Sequence, residues 1–166
     1  YPPEGLTPAG SYTLAELRSA MESRAVVEGV AQRCDAALNL SVQLGRISAI
    51  MPREEATAPW ISGANREIAV LSRVGKPICC TVESIADAKG APLVTVSRRQ
   101  AQEQAMDAML ESLRPGSVVA GRVVRMESFG AFVDIGRGIV ALLPTEFISA
   151  ARIRRPEQRF RTGQRI

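Results

Sequence analysis

The sequence contains no histidine. That absence removes the commonest general base, the usual partner of a nucleophile and the commonest nitrogen ligand for zinc. Cysteine is scarce: Cys34, Cys79 and Cys80 are an odd number without metal-ligand spacing. On a strand, Cys79 and Cys80 would point to opposite faces, so they read as reduced packing thiols of a cytoplasmic protein. No apolar run reaches the roughly 18 residues that span a bilayer, and no signal-peptide pattern stands at the start. A membrane partner is therefore not expected. There is no carboxylate cluster, phosphate-cradling loop or nucleophile–base pair, so no catalytic residue, cofactor or metal is expected either.

Lysine is nearly missing too. Of 21 basic residues, all but Lys76 and Lys89 are arginine, which binds phosphate bidentately and stacks on bases. The charge is also uneven. Nine Lys+Arg face ten Asp+Glu from Tyr1 to Ser97, whereas twelve arginines face seven acids from Arg98 to Ile166. A positive half beside a near-neutral half suggests that one module meets a polyanion and the other does something else.

The 166 residues suit two small strand-rich modules. Tyr1 to Ser11 is Pro- and Gly-rich and reads as an extended arm, with Tyr1, Pro2-Pro3 and Tyr12 packing on the first module. Thr13-Leu14-Ala15-Glu16 is a capping box. Leu14, Leu17 and Met21 share one face of the helix that follows, to about Arg24, which would plug a barrel end. Strands are expected at Val26–Cys34, Asn39–Gly45, Arg46–Pro52, Ile78–Ile85 and Pro92–Ser97, with a turn at Asp87–Gly90. In the long connection Arg53–Arg73, Trp60 reads as a loop anchor and Ile68–Leu71 as an extra strand. Ser97 caps a helix from Arg98 to Arg114, with Ala101, Ala105, Ala108, Met109 and Leu113 mostly on one side, ended by Pro115-Gly116.

The second half holds the most informative stretch, Gly116 to Pro144. Three short strands follow one another, and Phe129 and Phe132 flank Gly130-Ala131, with Arg122 and Arg125 on the strand before. That is the layout of a base-stacking platform with a charged border. In a regular strand positions 129 and 132 face opposite ways, so both rings meet one ligand only if the chain bulges or twists at Gly130. Setting Val42-Gln43-Leu44-Gly45 on Val133-Asp134-Ile135-Gly136 brings Ala49–Pro52 onto Ala141–Pro144, with a one-residue gap in the turn. This is an internal repeat whose first copy has Leu38 and Ser41 where the second has the phenylalanines. Arg152 to Ile166 then carries six arginines and one acid around Phe160.

Phe129-Gly130-Ala131-Phe132-Val133-Asp134-Ile135-Gly136, followed by Ile139–Pro144, resembles the RNA-binding domain family of the ribosomal protein S1 type, an OB-fold variant. Many members have a histidine where Pro144 stands. The opening Tyr1–Gly5, Cys34-Asp35 and Arg73–Pro77 look like the N-terminal part of S1-like proteins of clostridial-type, Gram-positive bacteria. The resemblance implies a mainly β protein of tandem five-stranded OB barrels with an N-terminal helix and a helical linker. Its expected parts are an arm and helix at 1–24, a degenerate barrel at 25–97, a linker helix at 98–114 and an RNA-binding domain at 115–166. The matching of Thr162–Ile166 to Val74–Lys76 suggests a second barrel that is truncated, and a fragment of a longer protein. The implied activity is non-catalytic binding of single-stranded RNA in translation, with 30S ribosomal subunit proteins as further partners. Phe129 and Phe132 would stack bases, and Arg122, Arg125, Arg152, Arg154, Arg155, Arg159 and Arg161 would hold phosphates. The competing readings are a protein-docking module and an RNA-binding appendage of an RNA-processing enzyme.

Overall fold

The computed structural model describes residues 2–5, 10–61, 63–88 and 90–166. Tyr1 and Lys89 therefore lie outside the described residues. Five strands, β1 (Val26–Cys34), β2 (Leu40–Leu44), β3 (Ile47–Met51), β4 (Pro77–Ala88) and β5 (Ala91–Ser97), close into a barrel in the order β1-β2-β3-β5-β4. All neighbours are antiparallel except β3 and β5. Closure follows from alternation: Leu40, Val42 and Leu44 all point inward and are fully buried, as are Met51, Ile78, Val94 and Val96.

Helix α1 (Leu14–Ser23) opens with the expected reciprocal cap between Thr13 and Glu16 and ends on Arg24 in the left-handed conformation. Leu17 is fully buried in the barrel core, with Leu14, Ala20 and Met21 packed around it. The arm is anchored as well: Pro3 is buried, and the Tyr12 hydroxyl accepts the Glu28 N–H at 3.0 Å.

Two expectations for the connection after β3 fail. Ile68–Leu71 is not a strand but the end of α2 (Ala64–Leu71). A strand would put Ile68 and Val70 on one face, whereas the helix sends Val70 into the core and leaves Ile68 exposed. Trp60 is 51% exposed, and the connection is anchored instead by Ala56, Thr57 and Ala58, all fully buried.

Helix α3 (Arg98–Ser112) starts at Ser97, whose hydroxyl accepts the Gln100 N–H at 3.0 Å. It lies against β4 and against the next sheet, where Ala105 and Met109 pack on Ile139. That sheet has three antiparallel strands, β6 (Arg122–Glu127), β7 (Gly130–Gly136) and β8 (Ile139–Pro144). Arg137 and Gly138 both take positive φ, 47° and 77°, as a two-residue hairpin turn between β7 and β8 requires.

The repeat is visible strand by strand. In the first copy Ala31 pairs with Val42 and Arg33 with Ser41; in the second Val123 pairs with Val133 and Arg125 with Phe132. Each copy skips one residue of its first strand at the same place, a β-bulge. The following segment repeats too. The Gly75 N–H donates to Ala31 and the Gly163 N–H to Val123, each at 2.7 Å, and Arg165 forms a bridge to Arg122 as Pro77 does to Val30. The extra residue of the second copy is not in the turn, where the alignment put it. It is Ile135, a second bulge between Asp134 and Gly136.

Candidate nucleic-acid interface

Glu127 pairs with Gly130, so Ser128-Phe129 is a two-residue turn. Phe129 stands in that turn and not in β7, and the alternation that would separate it from Phe132 does not apply. It is 58% exposed. The two ring centroids lie 6.1 Å apart with the planes at 83°, an edge-to-face pair. Gly130 does not bulge; it provides clearance. A Cβ there would sit 2.7 Å from the Leu143 carbonyl oxygen.

The bulge that matters lies across the ladder, at Val124. It leaves Val123 fully buried and lets Arg125 project outward, with its guanidinium carbon 4.4 Å from the Phe132 centroid. Arg125 also faces Glu127 at 3.5 Å, an exposed pair that contributes little. On β8 the partner of Phe132 is Leu142, 48% exposed. Arg125, Phe132 and Leu142 thus form one cross-strand row, with Phe129 at its end. Leu142 has no distinguishing mark in the sequence, because its place in this row depends on the register between strands.

Arg152, Arg154, Arg155, Arg159 and Arg161 are all exposed, and none makes an ion pair among the described residues. Their loop is held by a 3-10 turn at Pro156–Gln158, with Pro156 buried and packed beside β6. Phe160 packs on Val123, Ala131 and Val133, which makes it the loop's anchor.

Arg122 lies elsewhere on the same sheet face. It pairs with Asp134, one row along from Arg125 and Phe132, and its Nη1 donates to the Glu4 carbonyl at 2.9 Å. The arm lies along this part of the face and leaves a cleft beside Arg122. The Glu4 carboxylate accepts two bonds from Arg98, at 2.7 and 2.8 Å, one from Arg73 at 3.3 Å and one from the Cys79 N–H at 3.2 Å. The Glu4 N–H donates to Asp134 at 2.8 Å, and the Arg137 N–H donates to the Pro2 carbonyl at 3.0 Å. Burial by itself would raise the Glu4 carboxyl, but Arg98, Arg73 and the Cys79 amide outweigh it and hold the group below the usual carboxylate range. Asp134 goes the other way: burial, helped by the charge of Glu4, lifts it against the amides of Glu4, Gly136 and Gly138. The buried Cys80 thiol is pushed up to about 12 by burial and then by Glu4, so it is inert as a nucleophile. Nothing in the sequence signals this network, because a lone glutamate in a Pro/Gly-rich arm has no pattern.

The first barrel does not reproduce the aromatic row. Its loop between β1 and β2 is closed by Asp35, which accepts the Ala37 and Asn39 N–H groups at 2.9 and 2.8 Å. Leu38 takes φ 66° and folds onto the barrel core, where its counterpart Phe129 stands out.

Residues 112–166 match the family model described as S1 RNA binding domain. The small ribosomal subunit protein bS1 of Staphylococcus saprophyticus is 33% identical over 94 residues, which is 55% of this chain and 24% of that protein. The bS1 proteins of Staphylococcus aureus strain COL and Staphylococcus haemolyticus are 35% and 36% identical over 77 residues, 44% of this chain and 19% of each relative. The chain thus spans a quarter or less of the length of these relatives. By both comparisons the chain resembles the S1 type, and residues 112–166 carry its RNA-binding domain pattern.

Proposed function

We propose that this chain binds single-stranded RNA, without catalysis, as part of an S1-like ribosomal or ribosome-associated protein acting in translation. The observation that carries this reading is the row Arg125–Phe132–Leu142 with Phe129 beside it: two rings for unpaired bases, with the Arg125 guanidinium over one face of Phe132. The match of residues 112–166 to the S1 RNA binding domain supports it, as do the bS1 relatives. Phe129 and Phe132 stack bases; Arg122, Arg125 and the loop arginines 152, 154, 155, 159 and 161 hold phosphates. A cytoplasmic location follows from the same reading.

We further propose that the strands β6-β7-β8 with residues 163–166 are the corresponding part of a second OB barrel, so that the chain holds tandem repeats divided as 1–24, 25–97, 98–114 and 115–166. The shared bulge and the matching bonds of Gly75 and Gly163 support this. The first barrel has Leu38 and Ser41 in place of Phe129 and Phe132, and contact with proteins of the 30S subunit is the role proposed for it.

The test is binding of labelled single-stranded RNA across a salt series. Each of Phe129→Ala and Phe132→Ala should cost about 1–3 kcal/mol. With about five phosphate contacts, the slope of log K against log salt should be near −3.5. Equal affinities for wild type and the double variant would remove the stacking proposal.

A further inference from the structure

A cleft of about 360 Å³ lies at the seam between the barrel and the three-stranded sheet, lined by Glu4, Arg73, Lys76, Arg122, Asp134 and Gly163 among others. Its charge does not balance. Glu4 and Asp134 are the carboxylates, against Arg73, Lys76 and Arg122 on the wall and Arg98 locked onto Glu4 behind it. Among the described residues Lys76 has no ion-pair partner, and Arg122 spends one of its five N–H donors, on the Glu4 carbonyl. The two cations come from different places in the fold, Lys76 just ahead of β4 and Arg122 at the start of β6. Unmatched guanidinium and ammonium donors around one concavity suit an anion with several acceptor oxygens.

The position of the cleft narrows the choice of anion. Arg122 and Asp134 form the row next to Arg125 and Phe132 on the same sheet face, two residues along β7. Two residues of strand span roughly 6.6 Å, about one nucleotide step along an extended single strand.

We propose that this seam cleft is a phosphate-binding site, formed by Lys76, Arg122 and Arg73, which takes a backbone phosphate of the strand stacked on Phe129 and Phe132. The site rests on the RNA-binding reading above and adds to it a contact from the first barrel. The strand then touches both copies of the repeat, although the aromatic row stands on the second copy.

The test uses the full chain and Lys76→Ala. The side chain of Lys76 is exposed, and its main chain, bonded to Arg73 and Ala31, is untouched by the change, so the variant keeps its fold by circular dichroism. The first measurement titrates inorganic phosphate against chloride at equal ionic strength, following the amide resonances of Lys76, Val123 and Gly163. Saturable shifts in the wild type that vanish in the variant are expected. The second measures binding of a 12-nucleotide single-stranded RNA. Lys76→Ala should bind about tenfold more weakly, with a salt slope shallower by about 0.7. Phosphate shifts with unchanged RNA binding would mean that the cleft takes a free phosphate compound, and would overturn the strand contact. No phosphate shifts and unchanged RNA binding would overturn the site. Phe129→Ala/Phe132→Ala separates the two proposals: if it weakens RNA binding and Lys76→Ala does not, the seam fails and the stacking platform stands.

Discussion

Gly130 illustrates how much a single Cβ decides here. The site it would occupy is filled from the neighbouring strand by the Leu143 carbonyl and the Leu142 side chain. Gly130→Ala should therefore cost about 1–3 kcal/mol by overpacking, read as a lowered denaturation midpoint, and it should also shift Leu142 in the row beside Phe132. At this scale the sequence was partly informative. Phe129, Phe132 and Arg125 stood out because rings and a guanidinium cluster within eight residues of glycine-punctuated β pattern. Their mutual geometry was not legible, since it depends on where the turn begins, and a two-residue turn replaced the bend sought at Gly130. Leu142 looked like any other apolar residue until the register placed it opposite Phe132. Phe160 looked like a ring interleaved with arginines and proved to be the anchor of their loop.

Among the elements, helix α1 was legible from its cap and its apolar spacing, because both are local. Leu17 carries most of its contact with the barrel, being fully buried, whereas Leu14 is only partly covered. Leu17→Ala should destabilise the chain by about 2–5 kcal/mol, well beyond the effect of Leu14→Ala, in a chemical-denaturation comparison. Helix α2 was misread as a strand because Ile68 and Val70 alternate over too few residues to separate the two periods, and burial of one residue rather than two settles it. The repeat was visible in sequence, while its bulges were not: an unpaired residue such as Val124 has no composition of its own. The bulge at Val124 matters to the candidate site, since it turns Arg125 toward Phe132.

For the molecule as a whole, the arm decides how barrel and sheet are set together. Glu4 and Arg98 are each about 5% exposed and joined by two bonds, so removing one partner leaves the other buried and uncompensated. Glu4→Gln should cost about 3–5 kcal/mol near neutral pH. The sign of its pH dependence follows from the depressed folded pKa of Glu4. The contribution is present above the ordinary carboxylate range and is lost as pH falls through the folded value, so wild type and variant should converge in acid. Asp134, lifted by burial, acts in the opposite sense and favours the fold as it takes up a proton. Thermal melts of both proteins between neutral and acid pH, showing a gap that does not narrow, would refute this account of Glu4. The charge asymmetry read from the sequence pointed to the arginine-rich half but gave no sign of the seam, which joins residues more than a hundred positions apart.

The amide groups of Glu4, Cys79 and Arg137 all donate into this one knot, two of them to side chains and one to the Pro2 carbonyl. Three points far apart along the backbone thus share a single latch. Loosening any one of them should expose the others to solvent, so amide exchange at all three is expected to report one shared opening event.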